Sequence, residues 1–188
     1  YRDAGHNVEF VPADFRRFAP VLEARAPRVM ATAAAPPDAD GWISLSLHAG
    51  ATVEELHRAG ADPERVLIAE VSPHFPRTKG LGPYSHRLHV DECDFVVETD
   101  RWPVAIPDPE PNDVDRAIAG FATQYIKDGS TIQTGIGSIP STIAKLLAEG
   151  DGGDYGVHSE MFTSGLKLLH DSGKVTNAAK TVFEGYSI

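Results

Sequence analysis

The chain has 188 residues, 41% of them hydrophobic and 23% charged, enough to bury a core as one large domain or two small ones. Seventeen Lys and Arg against 27 Asp and Glu leave a formal charge of −10, so a nucleic-acid partner is not expected. A single cysteine, Cys93, excludes an intrachain disulfide framework and suits a reducing cytoplasm, and no 18-residue apolar run offers a membrane span.

In chain order, Val8 to Val11, Val29 to Ala34, Ile43 to Leu47, Val66 to Val71 and Phe95 to Glu98 read as short strands. Helices fit between some of them, over Asp14 to Ala24 and over Val53 to Ala59, the second stopped by Gly60. Ala35 to Gly41, with Pro36, Pro37 and a closing glycine, reads as a turn. Strands alternating with helices predict an α/β unit with a largely parallel sheet.

Pro103, Pro107, Pro109 and Pro111 then crowd a stretch that can serve neither as helix interior nor as central strand, because proline lacks the N–H. This predicts a domain at residues 1–102, a linker at 103–111 and a second domain from 112 to 188. Asn112 caps a predicted helix with Asp113 and Asp115 in its first turn, ending at Gly129 after Lys127. Val114, Ile118, Phe121, Ala122, Tyr125 and Ile126 give that helix one continuous apolar face.

From Ser130 the pattern is strand (Thr131 to Thr134), glycine turn (Gly135, Ile136, Gly137, Ser138), helix (Ile139 to Ala148), strand (Tyr155 to Ser159) and helix (Ser164 to His170) closed by Gly173. Ser138 is the expected N-cap, and Pro140 is tolerated in the first turn. A strand–helix–strand crossover makes the two strands parallel, so the turn and Glu160 are expected at one carboxyl edge, where open α/β sheets bind ligands. N–H groups at such a turn can stabilise an oxyanion, each well-placed donor by on the order of 3 kcal/mol, while a carboxylate beside it attacks a carbonyl. A phosphate-binding or merely structural turn fits the same residues, as does a surface or helix-capping glutamate.

At these residues the sequence resembles the acetyl-CoA hydrolase/transferase family, which includes 4-hydroxybutyrate, propionate, acetate and succinate CoA-transferases. The resemblance is carried by IQTGIGSIPSTIAKLL (Ile132 to Leu147) and YGVHSEMFTSGLKLLHDSGKVTNAAKT (Tyr155 to Thr181), which match a glycine turn, a His-Ser/Thr-Glu-Met segment and a Gly-x-Val-Thr-Asn segment. APPDADGWISLS (Ala35 to Ser46), LIAEVSPHFPRTKG (Leu67 to Gly80) and DECDFVVETD (Asp91 to Asp100) resemble the family's first domain.

The resemblance implies a CoA-transferase-like α/β fold of two domains with largely parallel sheets and the active site in their cleft, this chain covering parts of both. It implies transfer of CoA between a short-chain acyl-CoA and a carboxylic acid, with Glu160 carrying CoA as a glutamyl thioester. Gly135, Ile136, Gly137 and Ser138 would form the oxyanion and CoA site. No cofactor is held permanently, coenzyme A or acyl-CoA being substrate, and a cytoplasmic homodimer is implied. Acetyl-CoA hydrolysis, and a non-catalytic phosphate- or CoA-binding segment, are the alternatives. Family members run to well over twice this length. With no initiator Met before Tyr1 and a strand-like close at Tyr186-Ser187-Ile188, the chain is expected to be a piece of a longer protein. The loop Leu81 to Arg87 also looks longer than the family's.

Among secondary candidates, Arg77 could grip a substrate carboxylate or a CoA phosphate, or be an ion-paired loop arginine. His158 shares a strand face with Glu160 and could tune it, or be a core or hydrogen-bonded histidine. Asn177 could contact substrate or hold a turn. His86 and His89 are spaced i, i+3 without a carboxylate or cysteine pattern, so no metal site is read there. Cys93 reads as buried and inert.

Overall fold

The computed structural model describes residues 5, 8–48 and 50–188; the opening Tyr1-Arg2-Asp3 lies outside them. Contacts divide the chain into two compact units that part between Val104 and Ala105, and residues 99–112 are neither helix nor strand.

In the first unit, β1 (Val29–Ala34), β3 (Val66–Val71) and β5 (Phe95–Glu98) form a parallel sheet in the order β1-β3-β5. Parallel pairing needs crossovers, and α2 (Val53–Ala61) supplies one between β1 and β3. The central strand β3 buries alternate residues, Leu67, Ala69 and Val71, against Ala34, Ile43, Leu45, Leu56 and Leu88. Asp94 fixes the sheet register by accepting from the Leu67 N–H at 2.7 Å. Within α2, Glu55 is 3% exposed and meets Arg65 at 2.7 Å and Arg58 at 3.0 Å. Burial pushes its carboxyl upward, but the hydrogen bonds and charges of Arg58 and Arg65 outweigh that and hold it below the ordinary value.

Helix α1 (Phe15–Arg25) starts one residue after the expected Asp14, which caps it by accepting from the Arg17 N–H. The stretch Val8 to Val11 is exposed and forms no strand, for it finds no partner ladder. Gly60 lies inside α2, which ends only at Ala61; the Gly60 site is crowded instead, since a Cβ there would stand 2.5 Å from the Glu92 carbonyl. The strand expected at Ile43 to Leu47 is the shorter β2 (Trp42–Ser44), which pairs antiparallel with an unforeseen β4 (Arg87–His89). In the turn before β2, the Asp38 carboxylate accepts from the N–H groups of Asp40 and Trp42, and Gly41 takes a φ of 83° against the His89 ring.

In the second unit, Asn112 and Asp115 form a capping box at the start of α3 (Asp113–Thr123). The helix stops short of Lys127 because Gln124, Tyr125 and Ile126 bond three residues back, tightening the last turn. Its inward side is the narrow row Ala119, Ala122, Thr123 and Ile126, whereas Val114, Ile118, Phe121 and Tyr125, expected as core, are exposed. The strands β6 (Thr131–Ile132) and β7 (Gly156–Val157) are parallel, joined through α4 (Ser138–Glu149), and α5 (Ser164–Asp171) packs on α4. Gly165 permits that contact: a Cβ there would lie 2.9 Å from the Ala144 Cβ. Ile132, Leu147, Tyr155, Val157, Leu166 and Leu169 form this unit's core. No helix among the described residues is long and apolar enough to cross a membrane.

Candidate active site

Register brings the two sequence features together. Thr131 pairs with Gly156 and Ile132 with Val157, so the chains leave β6 and β7 side by side at their carboxyl ends. Two residues further on, Ser159 Oγ accepts from the Thr134 N–H at 3.3 Å, lies 3.2 Å from the Thr134 carbonyl and bonds the Met161 carbonyl at 2.9 Å. Thr134 Oγ1 also meets Thr163 Oγ1, the N-cap of α5, at 3.1 Å. Thr134 immediately precedes Gly135, and Ser159 immediately precedes Glu160. The glycine turn and the carboxylate are thus the next residues on either side of one hydrogen-bonded clasp. Neither Thr134 nor Ser159 stood out in the sequence; the available signal was a hydroxyl residue directly before each of the two candidate elements.

Glu160 is exposed and forms no hydrogen bond or ion pair among the described residues. Across the clasp, the N–H groups of Gly135, Ile136 and Gly137 are spent on no acceptor among the described residues. The turn is shaped by Gly137, whose φ of 136° is open to glycine alone. Gly137 is the N-cap of α4 and Ser138 its first residue, a correction to the expected Ser138 cap: Ser138 has already turned helical, and its carbonyl accepts from Thr142 Oγ1 at 2.7 Å. Ile136, Met161 and Phe162, the neighbours of these polar groups, are exposed apolar side chains. Unspent N–H donors at a helix start, a free carboxylate and an apolar rim are a chemistry suited to a neutral acyl group that becomes an oxyanion.

Behind β7 lies a support that sequence reasoning only half found. Asn177, 3% exposed with a φ of 57°, accepts from the Val157 N–H at 2.8 Å and donates to Ser187 Oγ at 3.0 Å. Both ends of its amide are used internally, on Val157 and Ser187. Lys180, 6% exposed, donates to the carbonyls of Val157 and Tyr186 at 2.8 and 2.6 Å. Desolvation by burial lowers its ammonium's pKa, with no carboxylate to offset it. Its stem crosses Gly156, where a Cβ would stand 2.8 Å from the Lys180 Cγ. A lysine amid the small residues of Asn177 to Thr181 was the signal for it. Ile188 then pairs beside β7, donating to Val157 and accepting from Ser159 at 2.7 Å.

The remaining candidates fall elsewhere. His158 is exposed and its ring bonds nothing among the described residues, so it is neither a core nor a hydrogen-bonded histidine. Arg77, in the first unit, donates to the Pro36 and Trp42 carbonyls at 2.5 and 3.0 Å and to Asp38 at 3.0 Å, holding the turn before β2 as an ion-paired loop arginine. His86 and His89 bond the carbonyls of Ser46 and Asp40, and no cluster of metal-ligating side chains occurs among the described residues. Cys93 is half-buried; burial first, then Glu92 and Asp94, push its thiol up to about 11.

No family model matches the chain. It is 30% identical over 182 residues to the succinyl-CoA:cyclohexane-1-carboxylate CoA transferase of Geobacter metallireducens, covering 96% of this chain and 39% of that protein. It is 32% identical over 149 residues to the 4-hydroxybutyrate coenzyme A transferase of Clostridium kluyveri, covering 79% of this chain and 32% of that protein. Among solved structures, RipA from Yersinia pestis shares its fold with a TM-score of 0.84 and 28% identity, over 99% of this chain and 41% of that one. The chain therefore spans about a third to two fifths of the length of these proteins. With α/β units built on parallel strands and several CoA-transferases as relatives, the chain belongs to the CoA-transferase family.

Proposed function

We propose that the protein containing this chain moves CoA between a short-chain acyl-CoA and a carboxylic acid, with Glu160 as the nucleophile. The observation that supports this reading best is the Thr134–Ser159 clasp, which sets the free Glu160 one residue from one side and the unspent N–H groups of Gly135 to Gly137 one residue from the other.

In the proposed reaction a carboxylate oxygen of Glu160 attacks the thioester carbonyl, and the oxyanion that forms is stabilised by the glycine-turn donors. Collapse expels CoA as thiolate and leaves an acyl-glutamyl anhydride. The thiolate attacks the glutamyl carbonyl of that anhydride, releasing the first acid and forming a glutamyl-CoA thioester. A second acid then reverses these steps and regenerates the Glu160 carboxylate. Nothing is oxidised or reduced, and no permanent cofactor is called for.

Incubating the intact protein with acyl-CoA and no acceptor acid tests this. Mass spectrometry should find CoA, less one water, attached to the peptide carrying Glu160, and Glu160→Ala should carry none. An adduct on another residue, or turnover by the Glu160→Ala protein, would refute the assignment. Hydrolysis passes through the same intermediates, and the exposure of Glu160 admits water; a release of free CoA that ignores added acid would select that reading instead.

A further inference from the structure

The first unit has a cleft of about 460 Å³ between the β2–β4 ladder and the loop from Thr78 to Arg87, within the size range of small-ligand sites. The loop is built to curl over it: a Cβ at Gly80 would collide with the Tyr84 carbonyl, and Tyr84 donates back to Leu81. Three cations line the cleft, and they differ in what they are free to do. Arg77 is consumed by two carbonyls and by Asp38, whose carboxyl the Trp42 N–H first, then the Asp40 N–H and the charges of Arg77 and Arg87, hold below its ordinary value, so Asp38 offsets one of the three cations. Arg87 lies with its guanidinium 3.7 Å over the Trp42 ring, which fixes its plane while leaving its N–H groups unbonded among the described residues. Lys79 has no hydrogen bond or ion pair among them. A chain of net charge −10 thus gathers about two unspent positive charges in one small concavity.

We infer that this cleft binds a phosphate dianion, with Arg87 gripping it through paired N–H donors and Lys79 as the second charge. Two cations match a doubly charged phosphate better than a singly charged carboxylate, and a guanidinium held flat is already oriented for two-point recognition of phosphate oxygens. The dianion is either free phosphate or a phosphate borne on a nucleotide; only the link to coenzyme A, whose nucleotide carries one, rests on the function proposed above.

Calorimetric titration of the intact protein with adenosine 3′,5′-bisphosphate, inorganic phosphate and succinate decides the matter. Lys79→Gln and Arg87→Gln should each weaken phosphate binding about tenfold or more, since each removes a charge-assisted contact, and affinity should fall as salt rises. Lys79 is exposed and makes no hydrogen bond or ion pair among the described residues, so its variant reports on binding without disturbing the fold. Tighter binding of the bisphosphate than of inorganic phosphate assigns the site to a nucleotide; equal binding assigns it to the free ion. If both variants bind both phosphates as wild type does, or if only succinate responds to them, the inference is overturned. Glu160→Ala should bind the bisphosphate normally, and a wild-type protein that binds the bisphosphate in this cleft yet forms no covalent adduct would sink the proposed chemistry alone.

Discussion

Asn177→Ala separates the two roles this residue could have had, and its cost can be worked from three features. Removing the side chain leaves the N–H of fully buried Val157 without its 2.8 Å acceptor. An unsatisfied buried donor costs about 1–3 kcal/mol. The backbone at φ 57° suits asparagine but not alanine, which adds about 1 kcal/mol. The 3.0 Å bond to Ser187 is lost as well, though Ser187 Oγ keeps His170 Nε2 as a neighbour at 2.5 Å. The expected destabilisation is therefore about 2–4 kcal/mol, far above the ordinary surface substitution. Asn177→Gly, which tolerates positive φ, should lose only the hydrogen-bond part. Urea midpoints of the intact protein, wild type against both variants, measure the difference. A change below about 0.5 kcal/mol for Asn177→Ala, coupled with a raised KM for the acid, would refute the internal role and restore a substrate contact.

Three further outcomes are expected. Glu160→Ala should leave stability within about 0.5 kcal/mol of wild type while abolishing the CoA adduct, because the side chain is exposed and unpartnered; urea denaturation and mass spectrometry read the two separately. Gly165→Ala should cost about 1–3 kcal/mol by forcing α5 away from Ala144 and Ser141, measured by thermal denaturation; a neutral substitution would mean the helices separate freely. Cys93, its thiol raised from 9.0 to about 11, should react with iodoacetamide at pH 8 about 100-fold more slowly than an ordinary thiol, its rate still climbing past pH 10; a rate plateau near pH 9 would contradict the buried, acid-flanked setting.

Features set by local chemistry were legible in the sequence, and features set by long-range packing were not. Asn112 caps its helix because a short polar side chain needs only its own first turn to do so. The βαβ order from Ser130 predicted parallel strands, and with them the shared edge of Gly135 and Glu160, since crossover geometry leaves little choice. The outward apolar side of α3 misled the helix reading: periodicity identifies a face, but Ala119 packs inward because its small side chain lets α4 approach. The strand β4 was missed because three residues flanked by glycine, proline and serine carry too little pattern, and only the β2 edge makes them a ladder. The Ser159–Thr134 clasp joins residues 25 apart, so it has no signature that spacing could reveal.

Lys180 is where stability and site geometry meet, and its behaviour with pH follows from its partners. Its ammonium is held by two carbonyls and no anion, and burial lowers its pKa. The unfolded chain therefore binds this proton more tightly than the folded one, and between the folded pKa and the ordinary 10.5 the folded form gains stability as pH rises. Below that window the buried charge is a standing cost, offset by what the ammonium stitches together: Val157 at the end of β7 and Tyr186 on the segment beside it. In Lys180→Met the charge cost disappears, Val157's carbonyl keeps its bond from Ile188, and Tyr186's carbonyl loses its donor. Wild type minus Lys180→Met stability should accordingly rise from pH 7 toward pH 10.5, other titrations cancelling in the difference; a flat or falling difference would show that the ammonium is not desolvated. Because Val157 stands three residues before Glu160, the same variant should also lower the rate of CoA adduct formation at fixed pH, the expected result if a strand anchored from behind is what presents the carboxylate to the glycine turn.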